Sequence, residues 1–407
     1  MIKREMYLEK IRPFYDSSLV KVIVGIRRCG KSELLKQIVQ EIRQTTDAQH
    51  IIYLPLDNDE LSFINSPQAL SKHIKEQIKD ESKYFIFIDE IQLINGFEKT
   101  IGSLKSHTNS SIFITGSNSK LLAKELSTLL SGRYVAFRIQ PFTYQESIEY
   151  LTQKQISTSE DTFYDFCKWG SLPQRFDMQG EAQIRVFLEG VYASVVLHDI
   201  LERAQEGRAN FNQNLLRRII DFLLDGTGQT FSARNVFNKL RSSDSSVQAQ
   251  EVYDDIEYIV NSFCVSKCPR YDIKGKEILQ FYEKYYATDL GLRTITKTNL
   301  ETDLSLVLET VLYNEFIARG YDVLVGKTYK GEVDFIVINE GKKCFVQVCY
   351  LLATQDTINR EFGAYSPISD ASPKYVLSMD KFDLSREGIT HVNIIDFLLH
   401  KKELIFS

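Results

Sequence analysis

Val20-Lys21-Val22-Ile23-Val24 runs directly into Gly25-Ile26-Arg27-Arg28-Cys29-Gly30-Lys31-Ser32, and this stretch decides the fold. The first five residues read as a buried strand. The next eight satisfy G-x-x-x-x-G-K-[ST], a loop that binds phosphates when it joins a strand to a helix. The helix is signalled by Leu34, Leu35, Ile38, Val39 and Ile42, which recur at helical spacing. Gly25 and Gly30 let backbone N–H groups of Ile26, Arg27, Arg28 and Cys29 curl around an anion, and the helix N-terminus favours negative charge there. Lys31 is placed for the β- and γ-phosphates and Ser32 for a Mg2+ ion. Arg27 and Arg28 are suited to neutralising phosphate or pairing with acids elsewhere. Cys29 is expected to have no catalytic role.

A second strand, Lys83 to Ile88, is apolar and aromatic and ends in Asp89-Glu90. An acid at that position holds the water shell of Mg2+, which fits Asp89. The next acid, Glu90, is placed to orient and polarise an attacking water. Apart from the loop, this segment would read as an ordinary strand ending in solvated acids.

The chain has 407 residues, enough for two to four domains, with 43% hydrophobic and 25% charged residues, a net charge of −5 and a pI near 5.8. That balance does not point to nucleic acid, although an acidic chain can carry a local basic face. No apolar run is long enough to span a bilayer, and the charged N-terminus lacks a signal-peptide core, so a cytoplasmic location is expected. The six cysteines are scattered, without zinc-like spacing, and are expected to be reduced thiols.

Strand and helix patterns alternate to about residue 140: strands at 50–54, 83–88, 111–115 and 134–139, helices at 68–78 and 97–104. This predicts an α/β class chain with a five-stranded parallel sheet covered on both faces. Residues 142–214 turn helical, with a break at Gly170-Ser171-Leu172-Pro173. The predicted organisation is an ATPase core at 1–140, a helical lid at 141–214, a winged-helix-like module at 215–295 and an α/β domain at 300–407.

Three further places in the first part can carry chemistry. Thr115, Ser117 or Asn118, at a strand end facing the ligand crevice, can hydrogen-bond a γ-phosphate or water; the competing reading is a turn and helix cap before a helix at 120–130. Arg133, after Ser131-Gly132, can reach a γ-phosphate in its own or a neighbouring subunit, or be a surface turn residue. Arg175 is a weaker candidate for phosphate contact.

Gly25-Ile26-Arg27-Arg28 into Gly30-Lys31-Ser32, Ile88-Asp89-Glu90-Ile91-Gln92, Thr115-Gly116-Ser117-Asn118 and Leu130-Ser131-Gly132-Arg133 through Pro141-Phe142 together resemble the AAA-type domain of prokaryotic ATP-binding proteins that carry a C-terminal domain of uncharacterised function. The resemblance extends to Asp199–Arg203, Tyr271–Lys276 and Tyr286–Gly291. It implies binding and hydrolysis of ATP with Mg2+, and leaves the cellular role open.

In the second half, a short helix at 231–240, a helix at 248–261 and strands at 264–269 and 277–282 suggest a winged helix. Glu251, Asp254, Asp255 and Glu257 on its second helix would repel DNA phosphates, which favours a protein contact or spacer. From Leu304 onward, a helix with Glu309, a strand at 321–326, a strand with Asp334 and a strand with Gln347 resemble the restriction-endonuclease-like core. There Glu309, Asp334 and Gln347 would surround a second divalent metal. Cys349 stands where such a site needs a lysine, so a non-catalytic binding module is favoured over a nuclease. Expected partners are ATP, a protein through the C-terminal domains, DNA as an alternative, no membrane, and a homo-oligomer if Arg133 acts between subunits.

Overall fold

The computed structural model describes residues 2–117, 132–194, 200–201, 204, 211–243, 245–297 and 304–407. The chain divides into two compact units, Met1–Pro141 with Asn261–Phe263, and Phe142–Val260 with Cys264–Ser407.

In the first unit the strands are β1 (Val20–Val24), β2 (Ile51–Pro55), β3 (Tyr84–Asp89), β4 (Ser110–Gly116) and β5 (Tyr134–Arg138), in the order β2-β3-β4-β1-β5. Every pairing is parallel, as predicted. Continuous apolar runs suit this arrangement, because helices cover both faces of a parallel sheet. All residues of β1 and β3 are buried. Phe87 of β3 stacks on Phe113 of β4 with centroids 4.7 Å apart. The helix Lys31–Ile42 buries Leu34, Leu35, Ile38, Val39 and Ile42, the apolar set read from its periodicity. Since the strands run in one direction, the ends of β1, β3 and β4 lie on one edge of the sheet. The predicted helix at 120–130 falls outside the described residues.

The second unit is built on an eight-stranded sheet. Its strands are β6 (Thr230–Phe231), β7 (Val265–Asp272), β8 (Glu277–Ala287), β9 (Asp322–Lys327), β10 (Glu332–Asn339), β11 (Lys342–Val348), β12 (Lys374–Ser378) and β13 (Thr390–Asn393), in the order β13-β12-β11-β10-β9-β7-β8-β6. The hairpin β7–β8 was expected in a module separate from residues 300–407, yet β7 pairs in parallel with β9 through Arg270, Tyr271 and Asp272. The sheet therefore continues across that boundary.

A single carboxylate ties the expected lid segment to the segment after it. Asp289, buried, accepts hydrogen bonds from the N–H groups of Ser171 at 2.6 Å, Leu172 at 3.1 Å and Gly291 at 2.9 Å. The fit leaves no room for side chains: a Cβ on Gly170, whose φ is +73°, would lie 2.2 Å from Asp289 Oδ1, and one on Gly291 would lie 2.3 Å from the Trp169 carbonyl. No helix among the described residues is long and apolar enough to cross a membrane. All six cysteines are free thiols.

One residue breaks the apolar run of β1. Lys21 is fully buried; its ammonium donates to the Ser111 hydroxyl at 2.6 Å and the Ser17 carbonyl at 3.1 Å, and lies 4.4 Å from the Phe113 ring centroid. Burial, reinforced by Lys83 and Lys105 and opposed by Asp16, lowers its pKa to about 7 from an ordinary 10.5. Between those values the unfolded chain holds more protons than the folded one, so this group makes stability rise with pH from about 7 to 10.5. Lys21→Met should remove that contribution. Urea midpoints of wild type and variant, compared at several pH values across the window, should converge as pH rises; a constant difference would show that Lys21 does not titrate there.

Candidate functional site

The loop after β1 is shaped by two glycines. A Cβ on Gly25 would meet the Ile139 carbonyl oxygen at 2.3 Å, because the chain leaving β5 passes against the loop. Gly30 caps the helix Lys31–Ile42 with φ +100°, a left-handed conformation that glycine adopts without strain. Arg28 also has positive φ, at 65°. Ile26 and Cys29 are buried beneath the loop, while Arg27 and Arg28 are exposed. Burial pushes the Cys29 thiol up. Lys31 donates to the carbonyls of Gly25 and Ile26, both at 3.2 Å, and lies 3.8 Å from Glu90 Oε1.

Arg4, which sequence reasoning missed, braces this loop from outside the motif. Its guanidinium donates to the carbonyls of Cys29 at 2.9 Å, Gln140 at 3.0 Å and Pro141 at 3.3 Å. Gln37, on the helix behind the loop, accepts from the Arg4 N–H at 2.9 Å.

The acids at the end of β3 sit beside the loop. Asp89 is buried, which pushes its carboxyl up, while hydrogen bonds from Thr115 and Ser32 favour the charged form. Ser32 and Asp89 thus bring two hard oxygens together, the donor set suited to a Mg2+ ion. Glu90 has φ 54°, a strained conformation for a non-glycine residue at a strand end. Its N–H donates to the Thr115 hydroxyl at 2.9 Å, and that hydroxyl in turn donates to Asp89 Oδ1. Thr115, one of three candidates for a phosphate or water contact, fixes the two acids relative to each other. Gln92 was also missed: its amide donates to Glu90 Oε2 and, at 3.3 Å, to Ser117 Oγ. The Gln92 carbonyl oxygen is buried without a hydrogen-bond partner. The loop, Lys31, Ser32, Asp89, Glu90 and Ser117 therefore share one edge of the sheet; Asn118 lies outside the described residues.

Two arginines were candidates for a phosphate contact. Arg133 precedes β5 at the end where Val20 pairs with Tyr134, and its carbonyl accepts from the Val20 N–H at 3.0 Å. The length of β1, about 16 Å, separates it from the loop, farther than an arginine side chain extends. Contact with a phosphate bound at its own loop is excluded. Arg175 is buried in the second unit and donates to the Gly170 carbonyl at 2.9 Å, with its guanidinium 3.9 Å from the Phe176 ring centroid.

The second cluster does assemble, with an occupant that the sequence did not reveal. Glu309 and Asp334 converge on the ammonium of Lys284 from β8, at 2.7 Å and 3.8 Å, and Glu332 joins them at 2.7 Å. Gln347 Oε1 accepts from the Asp334 N–H at 3.3 Å. Burial pushes both Glu309 and Asp334 up; Lys284 favours their charged forms. Among the described residues no group of three or more His, Cys, Asp or Glu is arranged to hold a metal ion. Glu309 and Asp334, expected with Gln347 around a metal, thus lie around the ammonium of Lys284.

Comparison with known proteins places these features. An AAA domain matches residues 17–148, and a domain of unknown function (DUF8612) matches residues 160–303. An uncharacterised protein of Methanocaldococcus jannaschii is 26% identical over 358 residues, 85% of this chain and 78% of its own length. A Walker-type ATPase of Pyrococcus abyssi superposes with a TM-score of 0.51 at 14% identity, covering 73% of this chain and 96% of that one, which is a likeness of fold. An uncharacterised protein of Haemophilus influenzae is 32% identical over 405 residues, 98% of this chain and 99% of its own. The chain belongs to the family of this Haemophilus protein, and its residues 17–148 are an AAA domain of the P-loop ATPase kind.

Proposed function

We propose that the first unit hydrolyses ATP with Mg2+ and that the C-terminal segments respond to the nucleotide state. The observation that carries this reading is the convergence of Lys31, the Ser32–Asp89 pair and Glu90 on one sheet edge, beside a loop that a Cβ at Gly25 would block. Lys31 would exchange its loop carbonyls for the terminal phosphates. Ser32 and Asp89 would hold Mg2+, which when bound neutralises phosphate charge. Glu90 would orient water and accept its proton. Gln92 and Ser117 would hold the Glu90 carboxylate in place. Arg4 links the Cys29 carbonyl to Gln140 and Pro141, where the chain leaves the first unit, so a change in the loop has a direct route to that exit.

For the rest of the chain the proposed organisation keeps a helical lid at 141–214. Residues 215–295 are read as winged-helix-like, because β6, β8 and β7 form an antiparallel set after the helices Ala233–Ser243 and Ala249–Asn261. Residues 300–407 are read as restriction-endonuclease-like, supported by a helix, three antiparallel strands, a helix and the parallel strand β12. The acids on Ala249–Asn261 favour a protein partner over DNA for the winged module. A second reading, an ATP-gated switch with slow hydrolysis, draws support from Glu90 being engaged by Gln92 and facing Lys31. A basal turnover well below about one per second that a protein partner or DNA raises would favour the switch.

Glu90→Gln should retain ATP binding by calorimetry while turnover falls by about 10²-fold or more, since an amide cannot accept the proton; unchanged turnover removes Glu90 from the mechanism. Gln92→Ala should lower kcat about tenfold or more at unchanged ATP affinity and alter the pH–rate profile, because Glu90 loses its brace; parallel losses of affinity and kcat would mean that Gln92 is merely structural. The remaining catalytic role for Arg133 is on a neighbouring subunit's nucleotide. In that arrangement, mixing Arg133→Ala with Lys31→Ala protein should recover part of the activity that each lacks alone; no recovery excludes it.

A further inference from the structure

We infer that Lys284 occupies, as a permanent internal cation, the position that a divalent metal would take in the C-terminal core, so that the acidic cluster is an ionic lock and not a metal site. Its ammonium is almost fully enclosed, with 6% of the side chain exposed, and touches acids from two other elements: Glu309 of the helix Leu304–Arg319, and Glu332 and Asp334 of β10. The same acids are held by further donors. Tyr286 donates to Glu309 Oε1 at 2.5 Å, Arg270 reaches Glu332 Oε2 at 3.2 Å, and the Val348 N–H donates to Asp334 Oδ2 at 2.8 Å. Gln347, the expected third ligand, is turned to the Asp334 backbone. A Mg2+ ion needs near-octahedral oxygens at about 2.1 Å and keeps several waters. An ammonium at the centre takes the space that such an ion needs, and like charge repels the ion.

The lysine reaches this centre from the hairpin β7–β8, where it pairs with Cys268 and Thr230 of the neighbouring strands. Two functional positions of a nuclease-like core are thereby altered together: the metal position holds Lys284, and the position expected for a lysine holds Cys349, a buried thiol. The lock joins the winged-helix-like hairpin to the α/β core through charge as well as through the β7–β9 pairing. A lysine, unlike a metal, cannot dissociate, so the joint does not depend on divalent ions.

The test measures Mn2+ binding by electron paramagnetic resonance on the nucleotide-free full chain, in wild type, Asp334→Asn, Lys284→Ala and the Lys284→Ala/Asp334→Asn double variant. Wild type and Asp334→Asn should bind Mn2+ alike, with no Asp334-dependent site tighter than about 1 mM. Lys284→Ala should gain one site that the double variant lacks. A wild-type site that disappears in Asp334→Asn overturns the inference, and so does a folded Lys284→Ala that gains none. Should Lys284→Ala fail to fold, the comparison of wild type with Asp334→Asn still decides, together with melting temperatures that respond to EDTA and Mn2+ alike in these two proteins. An EDTA-induced drop that Asp334→Asn abolishes would overturn it.

Discussion

Charge taken out of water must find its partner inside the protein, and that constraint organises both units. Leaving a buried charge unpaired costs several kcal/mol, a large share of the stability of any domain. In the first unit Asp89 is buried at a strand end and is held by Thr115 and Ser32. The requirement to satisfy Asp89 brings the end of β4 to the end of β3 and the start of the loop helix to both. The same hydroxyl of Thr115 receives the Glu90 N–H, so pairing one acid also sets the backbone of the next. In the second unit, Asp289 collects three N–H groups from two segments more than a hundred residues apart.

The local part of this was legible in the sequence. The strand–loop–helix around Gly25 to Ser32, the acids after β3 and the five parallel strands follow from apolar periodicity and from glycines at a fixed spacing. These signals lie within one element and its turn. Gln92 and Arg4 were not legible, because each acts on a residue whose nearness depends on the folded chain. Gln92 is two residues from Glu90, but its role rests on Ser117 arriving from β4. Arg4 meets Cys29 and Gln140 by crossing the unit. Arg133 shows the converse: the turn before a strand was read correctly, but a turn does not say at which edge of the sheet it lies. Parallel pairing with β1 puts it at the edge away from the loop.

Lys284 was hidden for a different reason. The pattern of acids in residues 304–348 is complete by itself and invites a metal, while the cation that completes it lies on β8, in a segment with its own hairpin signature. Sequence reading divides a chain where patterns change. The sheet does not: β7 pairs with β9, and the next strand carries Lys284 to the acids. A boundary drawn from pattern therefore separated a charge from its counter-charges.

The two polar clusters consequently differ in kind. At the loop, Lys31 rests on two carbonyls at 3.2 Å and an acid at 3.8 Å, contacts that an anionic ligand can replace, and the Gln92 carbonyl oxygen still lacks a donor. At Lys284, two carboxylates lie at 2.7 Å, Tyr286 also donates to the Glu309 oxygen that Lys284 holds, and Arg270 and the Val348 N–H take the second oxygens of Glu332 and Asp334. A cation with weak, replaceable partners is poised to bind; a cation with strong, enclosed partners is structural. That difference is what separates a cluster built to exchange its contacts from one built to keep them.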